Sequence, residues 1–272
     1  MGSVRLTEEE FVNEVIDIVK KAKDSNIVIR ILGGLAIYVH SETAKQIYGE
    51  RERLGAGENI FRDLDLIAYS KQRKQIMGFF EKTLGFEPDR MINILFGDRR
   101  LVYHHPEHGY YVDLFFDKLE FSHDMNFGTE PGNGRLEPDY PTISLADLVL
   151  EKTQIHQINF KDVVDLACLF LCHDVNSSSG NDVIDGNYIA TVLADDWGFW
   201  YDAVNNLSIV KRYAGDFHSA GKISLDQHDT IIGRIDKLLK MIEEKPKTSK
   251  WTKRARKGTK KKWWREVEEI TR

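Results

Sequence analysis

The chain contains little cysteine, little proline and no long apolar run. Of its 272 residues, two are cysteine and six are proline, and no apolar run approaches the roughly 18 residues that span a bilayer. The first twenty residues carry acids where a secretory signal would have an apolar core. This composition excludes a collagenous or low-complexity protein and predicts an ordinary globular one. We expect it to be cytoplasmic, with no membrane partner.

Charge is distributed unevenly along the chain. The formal net charge is -5, but residues 245–272 contain twelve Lys or Arg and three Glu, which leaves -14 for the preceding residues. The segment is a separate electrostatic unit. Trp251, Trp263 and Trp264 lie among these basic residues. Basic charge neutralises phosphates and indoles stack on bases, so the segment suits RNA, but a solvated tail or a helix packed on the acidic body explains it equally well.

The region from residue 27 to residue 69 combines two short patterns. Ile27 to Leu32 is a β-branched apolar run typical of a buried strand, and Gly33-Gly34 separate it from a helical pattern over Leu35 to Tyr48. Glycines at a strand-to-helix turn let a ligand approach the backbone, and the N–H groups of the helix can bind an anion. A turn kept only for tight packing is the equal alternative.

The second pattern is Arg-Asp-Leu-Asp-Leu-Ile-Ala-Tyr at 62–69. The period of two in a strand places Asp63 and Asp65 on one face and Leu64 and Leu66 on the other. Carboxylates about 6 to 7 Å apart along a strand repel each other unless a cation lies between them. Magnesium suits carboxylates combined with phosphate oxygens and water. Two solvated acids on an exposed strand are the alternative.

A third acid follows in a later strand. The pattern predicts a helix from Ser70 to Leu84, capped by Ser70, and then strands over 91–96, 100–104 and 110–116. Asp113 lies inside the last apolar run. Because a buried acid requires a partner or a function, Asp113 is a candidate for the same site.

Two neighbouring features are less informative. His104, His105 and His108 have a spacing that matches no common metal-ligand set, so we expect a turn with solvent-exposed histidines. Residues 117–141 have no firm period and predict a linker or lid.

Helical periodicity dominates both ends of the chain. Thr7 and Glu10 have the form of a capping box before an amphipathic first helix. The helices predicted in the second half are Leu145–His156, Phe160–His173, Gly186–Ala194, Trp197–Ala214 and Leu225–Glu244. The sequence therefore predicts an α+β domain over 1–141, an all-helical domain over 142–244 and a basic tail over 245–272.

The order of the motifs resembles the DNA polymerase β-like nucleotidyltransferase superfamily, which has a glycine pair at a strand end, an Asp-x-Asp and then an isolated acid. The likeness is closer to AbiEii-type nucleotidyltransferases, many of which are toxins of toxin–antitoxin pairs. Ile-Ser-Leu-Ala-Asp-Leu-Val-Leu-Glu-Lys at 143–152, followed by Lys-Asp-Val-Val-Asp-Leu at 161–166, looks like their helical-domain signature. The resemblance implies a nucleotidyltransferase-fold mixed β-sheet flanked by helices, followed by an all-helical domain.

The resemblance also implies roles for the residues of the first two motifs. Gly33 and Gly34 contact the phosphates of a nucleoside triphosphate, and Arg62 contributes to the same nucleotide site. Asp63 and Asp65 are catalytic residues that hold magnesium. Two Mg²⁺ ions are expected.

The remaining implied residues lie further along the chain. Asp113 is the third catalytic acid and metal ligand, Lys152 assists at the phosphates, and Asp162 lies near the nucleotide. One position departs from the pattern, because many members have Ser or Thr directly after the glycines, where this chain has Leu35.

The expected function is transfer of a nucleoside monophosphate from an NTP to a hydroxyl acceptor. The basic segment 245–272 favours an RNA acceptor such as a tRNA end, and a toxin-like enzyme implies an antitoxin partner. Two alternatives remain: nucleotidylation of an antibiotic or other small molecule, and a protein of the same fold that binds nucleotide or RNA without catalysis.

Overall fold

The computed structural model describes residues 6–41, 63–178, 180 and 182–266. These residues form two compact units. Unit 1 comprises 6–39, 63–119 and 125–144, and unit 2 comprises 40–41, 120–124 and the described residues from 145 onward. The predicted division into domains at 141 and 244 stays a prediction. Arg62, the loop Gly49 to Asn59 and the end of the helix predicted over Leu35 to Tyr48 lie outside the described residues.

Unit 1 contains a mixed sheet flanked by helices. Its helices are α1 (Glu8–Asp24), α2 (Gly33–His40), α3 (Arg73–Gly78) and α4 (Arg90–Phe96), with a 3-10 turn at Ser70–Gln72 and a π-helical turn at Phe79–Thr83. Its strands are β1 (Ile29–Ile31), β2 (Asp63–Ala68), β3 (Glu87–Pro88), β4 (Arg100–His104) and β5 (Tyr111–Phe116).

The strand order is β1-β2-β5-β4-β3. Strands β2 and β5 are parallel, and the other three pairs are antiparallel. The alternation that the sequence predicts in β2 is confirmed, because Leu64 and Leu66 are fully buried whereas Asp63 is exposed and Asp65 is half-buried. The mixed sheet with flanking helices and a helical C-terminal region is the predicted fold class.

The first helix forms where the sequence predicts it. Thr7 accepts a hydrogen bond from the backbone N–H of Glu10, and Glu10 accepts one from the N–H of Thr7, which completes the capping box. The helix buries the five apolar residues that recur at helical spacing, namely Phe11, Val15, Ile18, Val19 and Ala22.

The strand predicted over 91–96 is wrong, because this segment is helix α4. Asp89 caps the helix by accepting from the N–H of Ile92 at 3.0 Å. Asn93 then bonds Val102 of strand β4, donating to its carbonyl at 3.0 Å and accepting from its N–H at 2.7 Å. The Asn93 side chain thus takes the place of a neighbouring strand in bonding the backbone of Val102. Ile94 of the same helix is 83% exposed.

Two further predictions in unit 1 are corrected. Ser70 is the first residue of its 3-10 turn rather than a cap, and its N–H donates to the Asp117 carboxylate at 2.8 Å. Residues 117–141 are not a linker, since they contain the paired strands β6 (Lys118–Glu120) and β7 (Asp124–Asn126). Residues 125–141 belong to unit 1, where Leu136 is fully buried and donates its N–H to the Tyr69 hydroxyl.

Unit 2 is mainly helical. Its helices are α5 (Leu145–Thr153), α6 (Phe160–Cys172), α7 (Gly186–Leu193), α8 (Trp197–Ser219), α9 (Leu225–Glu244) and α10 (Ser249–Ala255), with a 3-10 turn at Gly258–Lys260. Two short parallel strands, β8 (Asp174–Asn176) and β9 (Val183–Asp185), join α6 to α7. The five helices predicted in this half are confirmed, with ends shifted by a few residues. None of the helices in the described ranges is long and apolar enough to cross a membrane.

Candidate active site

The glycine turn lies directly against the second motif. Gly33 begins α2 with a φ of +73°, a conformation that favours glycine. A Cβ at this position would lie 3.1 Å from Oδ2 of Asp65, and the N–H of Leu32 donates to the Asp65 carbonyl at 3.1 Å. The turn and the Asp-x-Asp strand therefore form one local structure, in which a side chain at Gly33 would crowd the Asp65 carboxylate.

The second and third acids are neighbours across the sheet. Asp65 of β2 is the direct register partner of Asp113 of β5, and Asp63 is the partner of Tyr111. Register partners on adjacent strands direct their side chains to the same face. The three predicted carboxylates therefore share one face of the sheet, from exposed Asp63 through half-buried Asp65 to Asp113, which is 6% exposed.

Arg100 is the partner that the buried acid requires, and the sequence analysis missed it. It donates from Nε to Oδ1 of Asp113 at 3.1 Å, and its Nη2 lies 2.6 Å from Oδ2. The register of β4 against β5 pairs Val102 with Asp113, so Arg100, two residues earlier, shares the face of the acid. The sequence signal that could have identified Arg100 was a basic residue at the start of the strand that forms a hairpin with the strand of Asp113.

The donor set fits a hard divalent cation, because carboxylate oxygens are the ligands that Mg²⁺ prefers. The carboxylates of Asp65 and Asp113 have different described neighbours, however. Oδ2 of Asp65 lies 3.1 Å from the position that a Cβ at Gly33 would occupy, and both oxygens of Asp113 contact Arg100. The three aspartates are not among the described groups of ligand atoms within 4.8 Å of one another. The site as described is thus a set of metal-compatible acids rather than a closed metal cage.

A different group does bring three such side chains together. Atoms of Glu14, His105 and His108 lie within 4.8 Å of one another, and both histidines are half-buried, so the predicted solvent-exposed turn is wrong. His105 Nδ1 accepts from the N–H groups of Glu107 and His108 at 3.1 Å. Its proton is therefore on Nε2, which donates to Glu14 at 3.1 Å.

That protonation pattern disfavours metal binding. A metal-bound histidine normally donates its second ring N–H, whereas Nδ1 of His105 faces two donors. Burial lowers the pKa of His105, which keeps the ring neutral. Tyr110 also donates to Glu14 at 2.6 Å. We interpret the cluster as a hydrogen-bonded contact between α1 and the turn before β5.

Lys152 and Asp162, the predicted helical-domain residues, lie together in unit 2. The ammonium of Lys152 lies 2.8 Å from Asp162 and 2.9 Å from Asp165, and all three residues are buried. Asn159 caps α6 and accepts from the N–H of Asp162. The helical spacing of Asp162 and Asp165 thus places two carboxylates on one lysine. The sequence analysis did not single out Asp165.

The tryptophans of the basic segment contact unit 2 itself. Trp251 meets Trp200 at 5.1 Å between ring centroids, and Trp263 meets Tyr201 at 4.9 Å. Trp264 stacks on His156 at 3.6 Å. The indoles therefore pack within unit 2 rather than extending into solvent.

A buried acid anchors this packing. Asp202 is 2% exposed and accepts from His123 at 2.7 Å, from His156 at 2.9 Å and from the indole N–H of Trp263 at 3.0 Å. Burial opposes ionisation of Asp202, but these three hydrogen bonds hold its pKa below the usual range. The sequence offered no signal for this network beyond a lone acid in an aromatic helix.

The cations of the segment behave differently from its indoles. Lys250 pairs with Asp195, and Arg265 pairs with Asp124. Five others are exposed and have no acidic partner within the described ranges, namely Lys253, Arg256, Lys257, Lys260 and Lys261. The anchored segment therefore presents a basic surface, which we define by these five residues.

Comparison with known proteins gives little further information. No protein-family model matches the chain, and no curated protein sequence matches it. Among solved structures, the chain is similar to an antigenic nucleotidyltransferase-like protein from Paracoccidioides brasiliensis, with 13% identity and a TM-score of 0.40, over 90% of this chain and 98% of that one. A likeness at this level does not define a family, so the functional argument depends on the site.

Proposed function

We propose that the protein is a magnesium-dependent nucleotidyltransferase, similar to the AbiEii-type enzymes, that transfers a nucleoside monophosphate from an NTP to a hydroxyl acceptor and releases pyrophosphate. The observation that supports this most is the register of Asp65 with Asp113 beside the Gly33 turn. Three carboxylates on one sheet face, next to a glycine turn at a helix start, suit a metal-bound triphosphate.

Five residues of unit 1 have a role in this proposal. Gly33 and Gly34 leave room for phosphate oxygens at the start of α2, and Asp63 with Asp65 would hold Mg²⁺. Magnesium, when bound, supplies charge neutralisation to the triphosphate. Asp113 is the third acid, as a metal ligand or as the acceptor of the hydroxyl proton. The main contribution of the protein is positioning and electrostatics.

Lys152 and Asp162, the residues of the helical domain, also belong to the proposal. Lys152 is held by Asp162 and Asp165, so its ammonium is oriented before any nucleotide binds. Replacing Lys152 with Met removes that charge and leaves two buried carboxylates without it, which costs about 3 to 5 kcal/mol of stability. The Lys152→Met, Asp165→Asn double variant lowers this cost and is the better probe of a role at the phosphates.

We propose RNA as the acceptor, with the basic surface as its electrostatic contact. Five exposed cations on an anchored segment suit a phosphate backbone. The described indoles pack inward, so the cations rather than base stacking support this proposal. A toxin-like enzyme of this kind implies an antitoxin partner, and a neighbouring antitoxin-like reading frame would support that.

Two observations favour a second candidate, a nucleotide-binding protein without catalysis. Asp113 is bound by Arg100 on both oxygens. Leu35, at the position where many relatives have a hydroxyl, is 3% exposed and belongs to the core. Both features reduce the polar groups available to a reacting nucleotide.

Calorimetry and mass spectrometry distinguish the two candidates. Each NTP is titrated into the protein with Mg²⁺, and the same protein is then incubated with that NTP and candidate acceptors. The enzyme proposal predicts magnesium-dependent binding and an acceptor whose intact mass increases by one nucleotide. Binding without any mass change supports the second candidate, and no binding of any NTP contradicts both.

A further inference from the structure

Helix α4 exposes an unusual share of the apolar surface of the chain. Eight large hydrophobic side chains are exposed in the described ranges, and four of them belong to this helix, namely Met91, Ile94, Leu95 and Phe96. Single exposed apolar residues are normal on a protein surface, whereas a contiguous group of them marks a surface that binds something. The helix has no part in the nucleotide site proposed above.

Three of these side chains lie on one face of the helix. Met91, Ile94 and Leu95 have the spacing i, i+3, i+4, and Met91 is 72% and Leu95 66% exposed. The helix is held on unit 1 by other residues, since Ile92 is buried and Asn93 bonds the backbone of strand β4. We call Met91, Ile94 and Leu95 the α4 stripe.

Charges of opposite sign flank the stripe at equal distances along the chain. Arg90 lies four residues before Ile94 and Asp98 four residues after it, and both are exposed. Asp98 lies 3.7 Å from Arg99, but both of these side chains are largely exposed, and such surface pairs contribute little. The carboxylate of Asp98 is therefore accessible to a second cation.

This pattern is complementary to itself. In a two-fold symmetric contact, the same surface of both copies forms the interface. A two-fold axis that passes by Ile94 makes the two helices antiparallel, so Arg90 of each copy lies beside Asp98 of the other. Antiparallel packing also brings the opposite ends of the two helix dipoles together.

The chemistry of the stripe favours a second copy over other partners. A nucleic acid requires cations along the surface it contacts, and the α4 stripe has none. Helices that bind anionic membranes carry Lys and Arg on their polar side, whereas one end of this stripe is acidic. Four apolar side chains from each of two copies supply about 1,000 Å² of buried surface, the lower limit for a specific interface.

We propose that the α4 stripe is the contact through which two copies of this chain form a dimer, with Arg90 of each copy paired with Asp98 of the other. The dimer buries the apolar side chains that the single chain exposes. Its small interface predicts a dissociation constant in the micromolar range. The proposal does not depend on nucleotidyl transfer.

Sedimentation equilibrium of the full chain over a concentration series tests the contact. Wild type should change from monomer to dimer in the micromolar range. Ile94→Asp should weaken dimerisation at least thirtyfold, because it places two like charges at the axis. Leu225→Asp, at an exposed apolar residue of unit 2, is the matched control and should dimerise as wild type does. Urea unfolding checks that each variant is folded.

A charge exchange tests the antiparallel pairing. Arg90→Glu and Asp98→Lys should each weaken the dimer about tenfold at low salt, because each creates two like-charge contacts. The double variant Arg90→Glu, Asp98→Lys restores opposite charges and should bind within threefold of wild type. Added salt should reduce the differences, since it screens exposed charges.

The results that contradict the proposal are equally specific. A wild type that stays monomeric well above the micromolar range overturns it, and the stripe then belongs to a different partner. A dimer that Ile94→Asp weakens no more than Leu225→Asp does must form elsewhere on the chain. If the double variant is as weak as the single ones, the pairing of Arg90 with Asp98 is wrong.

Discussion

Asp113 in unit 1 and Asp202 in unit 2 are both buried acids, but their surroundings differ. Asp113 pairs with a full charge, the guanidinium of Arg100, on a sheet face that carries two further acids. Asp202 accepts from two histidine rings and one indole, and holds Trp263 in place. The first arrangement can be rebalanced by an incoming cation or phosphate, whereas the second closes a network of packed aromatic rings.

The comparison shows that burial of an acid does not by itself identify a reactive group. What distinguishes Asp113 is its alignment with Asp65 and the Gly33 turn, which brings several charges and a glycine turn to one place. What distinguishes Asp202 is that each of its described partners is also packed. We therefore expect substitutions at Asp202 to affect stability and those near Asp65 to affect chemistry.

Among the substitutions that test this comparison, Asp202→Ala should have the largest effect on stability. It leaves three donors without their acceptor, which costs about 3 kcal/mol. All five tryptophans of the chain lie in unit 2, so urea unfolding followed by tryptophan fluorescence reports on it directly. Asp216→Ala, at an exposed acid on the same helix α8, is the matched control and should stay within about 0.5 kcal/mol of wild type. Equal losses for the two variants would contradict the anchoring role.

Gly33→Ala should have the next largest effect, on both stability and nucleotide binding. The positive φ costs about 1 to 3 kcal/mol for a residue with a Cβ, and that Cβ would displace the Asp65 carboxylate. The affinity for NTP with Mg²⁺, measured by calorimetry, should fall.

Gly78→Ala in α3 is the control for this variant. Nothing lies within 4 Å of a Cβ at Gly78, and alanine is about 0.5 to 1 kcal/mol better than glycine in a helix. Stability should rise slightly, with nucleotide affinity unchanged. If Gly33→Ala binds NTP as tightly as wild type does, the glycine turn is not part of the nucleotide site.

The contribution of ionised Asp202 to the free energy of unfolding should depend on pH. Its folded pKa is lowered, while an unfolded Asp titrates at about 3.9. Its contribution is therefore complete above about pH 4 and is lost as pH falls through the folded value. The stability difference between wild type and Asp202→Asn, measured by urea unfolding, should shrink as the pH falls from 5 to 3. A constant difference would show that the Asp202 charge contributes nothing.

The smallest effect is expected on the basic surface. Lys257→Gln and Lys260→Gln should each reduce the slope of log RNA affinity against log salt by about 1 and leave the fold unchanged. Lys250→Gln is the control, because the charge of Lys250 is already paired with Asp195 and should contribute less to RNA binding. If all three variants bind a labelled RNA with the wild-type salt slope, the basic surface is not the RNA contact.

Local periodicity correctly predicted the helices and strands whose pattern lies within a single segment. The alternation in β2, the capping box of α1 and the helices of unit 2 each follow from side-chain spacing within one segment. Helix α4 was missed because its apolar residues are exposed except for Ile92. In addition, the Asn93 side chain bonds the backbone of Val102, nine residues further along the chain.

The candidate site could be predicted only in part, because its geometry depends on contacts between segments that are far apart in the chain. The glycines and the three acids were evident as patterns, but the register that aligns Asp65 with Asp113 depends on strands far apart in the chain. The Arg100 pair and the Asp202 network arise from that tertiary arrangement. Residue type could not indicate that the indoles of the basic segment pack inward.

The most direct test of the account is nucleotidyl transfer itself. Wild type and Asp65→Asn are incubated with Mg²⁺, each of four labelled NTPs and total cellular RNA, and label in the acceptor is measured with pyrophosphate release. The account predicts transfer from at least one NTP by wild type, transfer reduced at least about 10³-fold in Asp65→Asn, and an unchanged unfolding transition. Transfer by Asp65→Asn at the wild-type rate would contradict it.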